Sequence, residues 1–419
     1  MIYTLRTRNL YTLHLLIKRG DIMRIIIAIL CMFSFVQAQS IKQLISQSVQ
    51  NHPTLKTIEY RLSQMDERIR LSQNFSNPDL SFTINDIPFS HPSRRDLERM
   101  QYQAINFKQK FPWFGKLDAR IRYTQAQKNV ILDSYDAAKI KLAEEIRMTA
   151  YTIKEIEARI AIVRKYIEVS KQNIKLYTSY ASSDSQSHTN SMNASLLLTK
   201  VKIKFANYKA VLKSQQAKLK YLVQRNISHI SDNLMMKQPK SLHYYLSKLE
   251  HNPLYHKKLS QKNVAYTNAA LLSLDTMPDP YVKVGYFNRQ NFDDYGSITI
   301  GASLPLYGSE KLKTEAARKE VLARTSATLD YRASLQSDIE SMYAKLIEAR
   351  TIYMILNNET LPQLEHMFEL TQASIQEGGN LFAYTNLLEQ KLDLEEESIS
   401  IKAEYLRTQA RLKSLIGEI

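Results

Sequence analysis

Glycine is scarce in this chain, at 9 of 419 residues, roughly 2% against a usual ~7%. Folds built on glycine-rich phosphate loops or on many tight turns are excluded by that shortage. Neither G-x-G-x-x-G nor G-x-x-x-x-G-K-[ST] occurs, so nucleotide chemistry has no motif to rest on. Cysteine occurs once, at Cys31. Only 11 prolines are present, none between Pro112 and Pro239, and no glycine follows Gly115 in that stretch. Sequence without either breaker holds very long helices. Acidic residues are in the minority, 41 against 57 basic, for a net charge of +16.

Residues 1–38 differ from the rest. Basic residues at Arg6, Arg8, Lys18 and Arg19 precede Met23-Arg24, an apolar run from Ile25 to Val36, and a small-residue exit at Ala38. This is the pattern of a secretory signal, with Met23 read as the start and cleavage after Ala38. The run is shorter than the ~20 residues that span a bilayer as a helix. Leu30 precedes Cys31, where a lipid-acceptor signal places a small residue, which argues against lipidation. Past residue 38 no cysteine remains, so disulfides, thiolate metal sites and cysteine nucleophiles are excluded together. The charge past residue 38 is +12, from 52 basic and 40 acidic residues. These charges are scattered along helices, and with the secretory signal they argue against nucleic acid as a partner.

The remainder reads as a tandem duplication with a period near 200 residues. Asn51-His52-Pro53 opens one half and His251-Asn252-Pro253 the other. A helical stretch follows in each, then a proline-led extended segment, Pro78 to Ile84 and Pro280 to Tyr286. A second extended segment ends in an apolar-Pro-apolar-aromatic-Gly turn: Phe111-Pro112-Trp113-Phe114-Gly115 and Leu304-Pro305-Leu306-Tyr307-Gly308. The boundaries predicted are 1–38 for the leader, 39–228 and 251–419 for the repeats, and 229–250 for the joint.

The extended segments alternate apolar with polar. Leu80, Phe82 and Ile84 interleave with Ser81 and Thr83, and Ile298, Ile300, Ala302 and Leu304 with Ser297, Thr299, Gly301 and Ser303. That period of two suits a strand on a soluble core, or one with lipid outside and water inside a barrel. Four strands cannot close around a lumen, and an open edge cannot exist in lipid; several copies together could close one. The helices carry coiled-coil seams. Ile146, Thr149, Ile153, Ile156, Ile160, Val163, Ile167, Ser170 and Ile174 step by three and four. The rhythm returns at Leu198, Val201, Phe205, Tyr208, Leu212, Gln215, Leu219 and Leu222, and at Leu335, Ile339, Met342, Leu346, Ala349, Tyr353 and Leu356. Lys116 to Ala181, 66 residues, is roughly 100 Å as one helix. The hairpins are predicted to turn at a polar loop from Ser182 to Asn190 and at Glu377-Gly378-Gly379-Asn380. The fold class is mainly α with a small β part: long coiled-coil hairpins plus four strands.

With its signal peptide, duplicated halves, Pro-x-aromatic-Gly turns and helical hairpins, the chain resembles the TolC family of outer-membrane efflux channels. The resemblance implies a homotrimer whose twelve strands close one barrel in outer-membrane lipid, with a coiled-coil tunnel across the periplasm. It implies that Pro112, Gly115, Pro305 and Gly308 turn strand into helix. Ser182, Ser183, Asp184, Glu377, Gly378, Gly379 and Asn380 would meet a periplasmic adaptor coupled to an inner-membrane pump of the resistance-nodulation-division type. The family closes its tip with inward carboxylates after the second turn; the matching stretch here is Asn386-Leu387-Leu388-Glu389. Asn386 replaces the first acid and Glu389 matches the second, so both are candidates for a pore constriction. Repeated by threefold symmetry, such a carboxylate forms an acidic ring that favours cations.

The Phe111-Pro112-Trp113-Phe114-Gly115-Lys116 form resembles members serving heavy-metal exporters, so the cargo expected is metal ions or small toxic compounds. Alternatives are an exit duct for type I protein secretion and a periplasmic coiled-coil scaffold without a pore. No bound metal and no cofactor is expected: His251 and His256 are badly spaced to share a ligand set, and Met235-Met236 reads as packing. With no G-x-S-x-G, no H-E-x-x-H and no cysteine nucleophile, the chain is not an enzyme.

Overall fold

The computed structural model of the protein describes residues 39–180, 185–227, 229–376 and 381–419. The leader with Met23, Cys31 and Ala38 lies outside these, as do the adaptor-contact candidates Ser182, Ser183, Asp184, Glu377, Gly378, Gly379 and Asn380.

Each opening tripeptide is a helix-starting device. Helix α1 (Ile41–Asn51) begins at a capping box between Ser40 and Gln43. At its end His52 turns extended and its side chain accepts from the Thr54 amide, so α2 (Pro53–Ser72) starts on Pro53. Proline is at home there, because the first helical amide has no partner within the helix anyway. Strands β1 (Asp79–Asn85) and β2 (Tyr102–Lys110) follow, then α3 (Lys116–Tyr180), 65 residues without a break, and α4 (Ser185–Val223). Within 229–250 the chain forms α5 (Leu242–Ser247), whose Tyr245 is buried. A short 3-10 turn (Leu249–His251) leads to Asn252, which caps α6 (Pro253–Leu274) by accepting from the Tyr255 amide. Strands β3 (Asp279–Arg289) and β4 (Phe292–Ser303) precede α7 (Ser309–Ile355), a π turn (Leu356–Thr360), α8 (Leu361–Gln376) and α9 (Leu381–Leu415). Helix, strand, strand, long helix, second helix therefore occurs twice.

The π turn has a local cause. Pro362 has no amide hydrogen, and its ring collides with the carbonyl four residues back in a regular helix, that of Asn358. Widening one turn relieves the collision, and α7 passes into α8 without a corner.

The helices pack where the seams predict. Leu142, Ile146 and Ile153 of α3 bury with Leu219 and Leu222 of α4 and with Leu44 of α1. Further along, Val163 and Ile167 meet Leu197 and Val201, joined by Leu388 and Leu392 of α9. The pairing runs antiparallel, early α3 against late α4. In the second repeat Leu335, Ile339 and Leu346 bury with Tyr405, Leu406 and Leu412. One expectation is corrected. The polar run from Ser182 to Asn190 is not a loop throughout, because α4 begins at Ser185 and buries Asn190, Ala194 and Leu197. Serine and asparagine are indifferent helix formers, but the packed face overrides that preference. No helix among the described residues is long and apolar enough to cross a membrane.

Candidate functional site

The four strands form one antiparallel sheet in the order β1-β2-β3-β4. Cross-strand partners share a face, so the register assigns every side chain. Phe82 faces Ile105 and Leu80 faces Phe107. Ile105 faces Tyr286 and Phe107 faces Val284. Val284 in turn faces Ile298, and Val282 faces Ile300. The result is one continuous apolar surface, and it is bare: Leu80 is 74%, Phe82 63%, Ile298 74% and Ile300 78% exposed. A monomeric soluble protein rarely shows so large an apolar patch. The opposite face carries Ser81, Thr83, Asn106, Gly285, Ser297 and Thr299. It is the more enclosed one, with Ala104, Asn106 and Gly285 buried. Gly301 is required there, because a Cβ would stand 2.5 Å from the Tyr281 ring.

Both sheet edges are open among the described residues, β1 on one side and β4 on the other. Four strands alternating in direction leave the two edges antiparallel to each other. The β4 edge of one copy is therefore suited to pair with the β1 edge of the next.

The turns out of the sheet use their glycines in the left-handed region, Gly115 at φ +79° and Gly308 at +76°. Both carbonyls accept the first bond of the following helix, from Ala119 and Leu312. Pro112 and Pro305 end the preceding extended chain three residues earlier. In the first turn, Lys116 carries the lock. Its ammonium is 7% exposed and donates to Asp279 at 2.8 Å, with Asp275 at 3.3 Å. Asp279 also accepts from the Trp113 amide at 2.9 Å. One buried cation thus joins the start of α3 to the start of β3 across the repeats. The second turn has Ser309 at the matching position and no such lock.

At the far end of the helices, Glu389 accepts from Lys200 of α4 at 2.9 Å. Asn386 is exposed and lines the same groove of about 280 Å3, with Asn193, Leu197 and Phe382. One turn on, Lys204 donates to Asp393 at 2.7 Å and to Glu396 at 2.8 Å. Burial opposes the charge on Lys204, but the two carboxylates outweigh it and raise its pKa. Glu389, Asp393 and Glu396 lie at helical spacing on one face of α9, and the two lysines, four apart on α4, answer them. Sequence reading found Glu389 but missed the lysines; their spacing of four opposite acids at four and three is the signal, and only the fold brings the two segments together.

Beside this ladder, Glu395 is half-buried against Tyr166 of α3. Burial raises its pKa, and Lys391, Lys165 and the Tyr166 hydroxyl lower it without cancelling that effect. A carboxyl titrating higher in the folded than in the unfolded protein is destabilising once ionised. Its cost appears as pH rises from the unfolded value of about 4.3 through the folded one. Glu395→Gln is therefore expected to raise the thermal midpoint at neutral pH, with the gain shrinking towards pH 4, read by melting both proteins across that range.

Midway along the bundle, Glu155 of α3 accepts from Arg159 at 2.6 Å and also from Arg407 of α9. Arg159 reaches the Tyr208 hydroxyl of α4 at 3.2 Å, so one buried carboxylate joins three helices of both repeats. Among the described residues no group of three or more His, Cys, Asp or Glu is placed to hold a metal ion. Met235 is exposed in the joint, and Met236 packs against the second-repeat core.

Residues 44–223 match the outer membrane efflux protein family. Solved structures share the fold, among them three outer-membrane proteins. The outer membrane protein VceC of Vibrio cholerae superposes with a TM-score of 0.75 at 14% identity, over 90% of this chain and 96% of that one. The CmeC outer membrane channel of Campylobacter jejuni gives 0.73 at 13%, over 90% and 85%. The open state of the MtrE outer membrane channel of Neisseria gonorrhoeae gives 0.75 at 13%, over 90% and 89%. At such identities the likeness is one of fold. Among curated proteins, none matches the chain.

Proposed function

We propose that this is an outer membrane efflux protein, located in the outer membrane and extending into the periplasm, and the exit duct of a tripartite efflux system; the match of residues 44–223 and the fold of the chain support that reading. It is a channel component and not an enzyme. Three copies close a twelve-stranded barrel, and the helices prolong the tube through the periplasm to an adaptor protein and an inner-membrane pump. The pump supplies the energy, and the duct is passive.

One observation carries this reading: the sheet bares a continuous apolar face while both its edges are unpaired. Lipid satisfies the face, since strands of 9, 11 and 12 residues in β2, β3 and β4 reach the ~9–11 needed to cross a bilayer, while β1, at 7 residues, is the short edge strand. Closure with further copies satisfies the edges. A pore-free scaffold leaves both unexplained.

The ladder between α4 and α9 restrains the periplasmic end. Glu389, itself a rung of the ladder, and Asn386 beside it are the constriction residues, with residues 182–184 and 377–380 as the adaptor contacts. Reversing Lys200 and Lys204 together to glutamate sets five carboxylates against one another. Single-channel conductance in planar bilayers is expected to rise several-fold, and an unchanged conductance removes this restraint from the account. The cargo is small toxic compounds or metal ions. A strain lacking the gene, tested against copper, zinc, cadmium and nickel beside bile salts and dyes, shows which: sensitivity confined to organic compounds excludes metals.

A further inference from the structure

The polar face of the sheet is not electrically neutral at its helix-proximal end. Parity along β2 and β3 puts Lys108, Lys110 and Lys283 on this face, together with Tyr281 and Thr299. Lys108 and Lys283 are direct cross-strand partners. Like charges directly opposite each other weaken a sheet. Neither lysine has an ion-pair partner within 4.0 Å among the described residues. Lys108 instead rests its ammonium 4.5 Å above the Tyr281 ring, with Asp79 as its register partner on β1.

The charge continues below the sheet. A cavity of about 650 Å3 opens where β2 meets α2 and α3, and Lys110, Arg68 and Arg120 line it beside the aromatic rings of Phe75, Phe111 and Tyr123. Phe75 and Phe111 meet edge to face at 5.9 Å. The acids close by are mostly committed: Asp275 and Asp279 both sit on Lys116. Six cations thus face three carboxylates in each chain, in a ring position if the chain is one third of a tube.

We propose that this junction is the charge filter of the duct and favours organic anions, small amphiphiles whose carboxylate or sulfonate head meets the lysines while the apolar body passes the aromatic wall. The inference rests on the exit-duct reading and narrows its cargo. A cationic ring repels a free divalent metal ion and raises the local concentration of anions, whereas the acidic constriction beside Lys200 is already matched by lysines.

The test uses the purified oligomer in planar bilayers under a potassium chloride gradient. Wild type is expected to favour chloride over potassium by about threefold or more. Lys108→Gln with Lys283→Gln should bring the ratio near unity, and Lys108→Glu with Lys283→Glu should invert it. Thr83→Lys, on the same face at the other end of β1, should leave the preference anionic. Current block by naphthalenesulfonate should weaken at least about fivefold in the glutamine variant. Conducting channels that prefer potassium, or a preference unmoved by either double variant, overturn the filter and leave the duct standing. A folded oligomer that never conducts overturns the duct, and the filter with it.

Discussion

Ile298→Arg is expected to keep the protein out of the outer membrane, while Thr299→Arg one residue away is tolerated. Ile298 lies on the bare apolar face and Thr299 on the polar face of the same strand. Arginine on the lipid face of a barrel costs about 2–4 kcal/mol near the midplane. The lost burial of isoleucine in lipid adds about 2 kcal/mol, and threefold repetition multiplies both in an assembled barrel. On the polar face the same arginine stands in water. Outer-membrane fractions probed for each variant should show several-fold less of Ile298→Arg than of Thr299→Arg. Equal amounts of the two variants contradict the assignment of faces, whatever their absolute level.

The second large effect is in the helices. Glu155→Ala removes the carboxylate that Arg159 and Arg407 share, leaving Arg159 without an acid in a largely buried site and Arg407 with Glu404 alone, at 2.9 Å. Breaking such a cluster from one side costs about 3–5 kcal/mol. A denaturation midpoint lowered at constant slope is the expected result. Replacing Glu155, Arg159 and Arg407 together with leucine should cost far less, because the acid that then loses its partner, Glu404, is exposed to water. If the triple variant falls as far as the single one, the cluster stabilises by packing rather than by charge.

Much of this architecture is written locally. The three-and-four steps from Ile146 to Ile174 name the buried face of α3 almost residue by residue, since a seam must recur along its own helix. Alternation at Leu80–Ile84 and Ile298–Leu304 names the strands for the same reason. Gly115 and Gly308 mark turns that need positive φ. What stayed hidden depends on segments far apart in the chain. Lys116 finds Asp279 more than 160 residues on, and Lys200 finds Glu389 after 189; neither pairing has a local signature. That Leu80, Phe107, Val284 and Ile298 form one surface follows only from register, because a slip by one residue would turn a strand over. The start of α4 at Ser185 was masked by a serine- and asparagine-rich run whose helicity comes from what it packs against. The π turn left one trace, Pro362, legible only once the helix through it is known.

In the exit-duct reading one chain supplies a third of a tube, four strands with an apolar outside and two edges to be closed by its neighbours. Native mass spectrometry of the protein extracted from outer membranes in mild detergent measures this most directly. A particle of three chains is the expected result. A particle of one chain, with its sheet still folded, would contradict it.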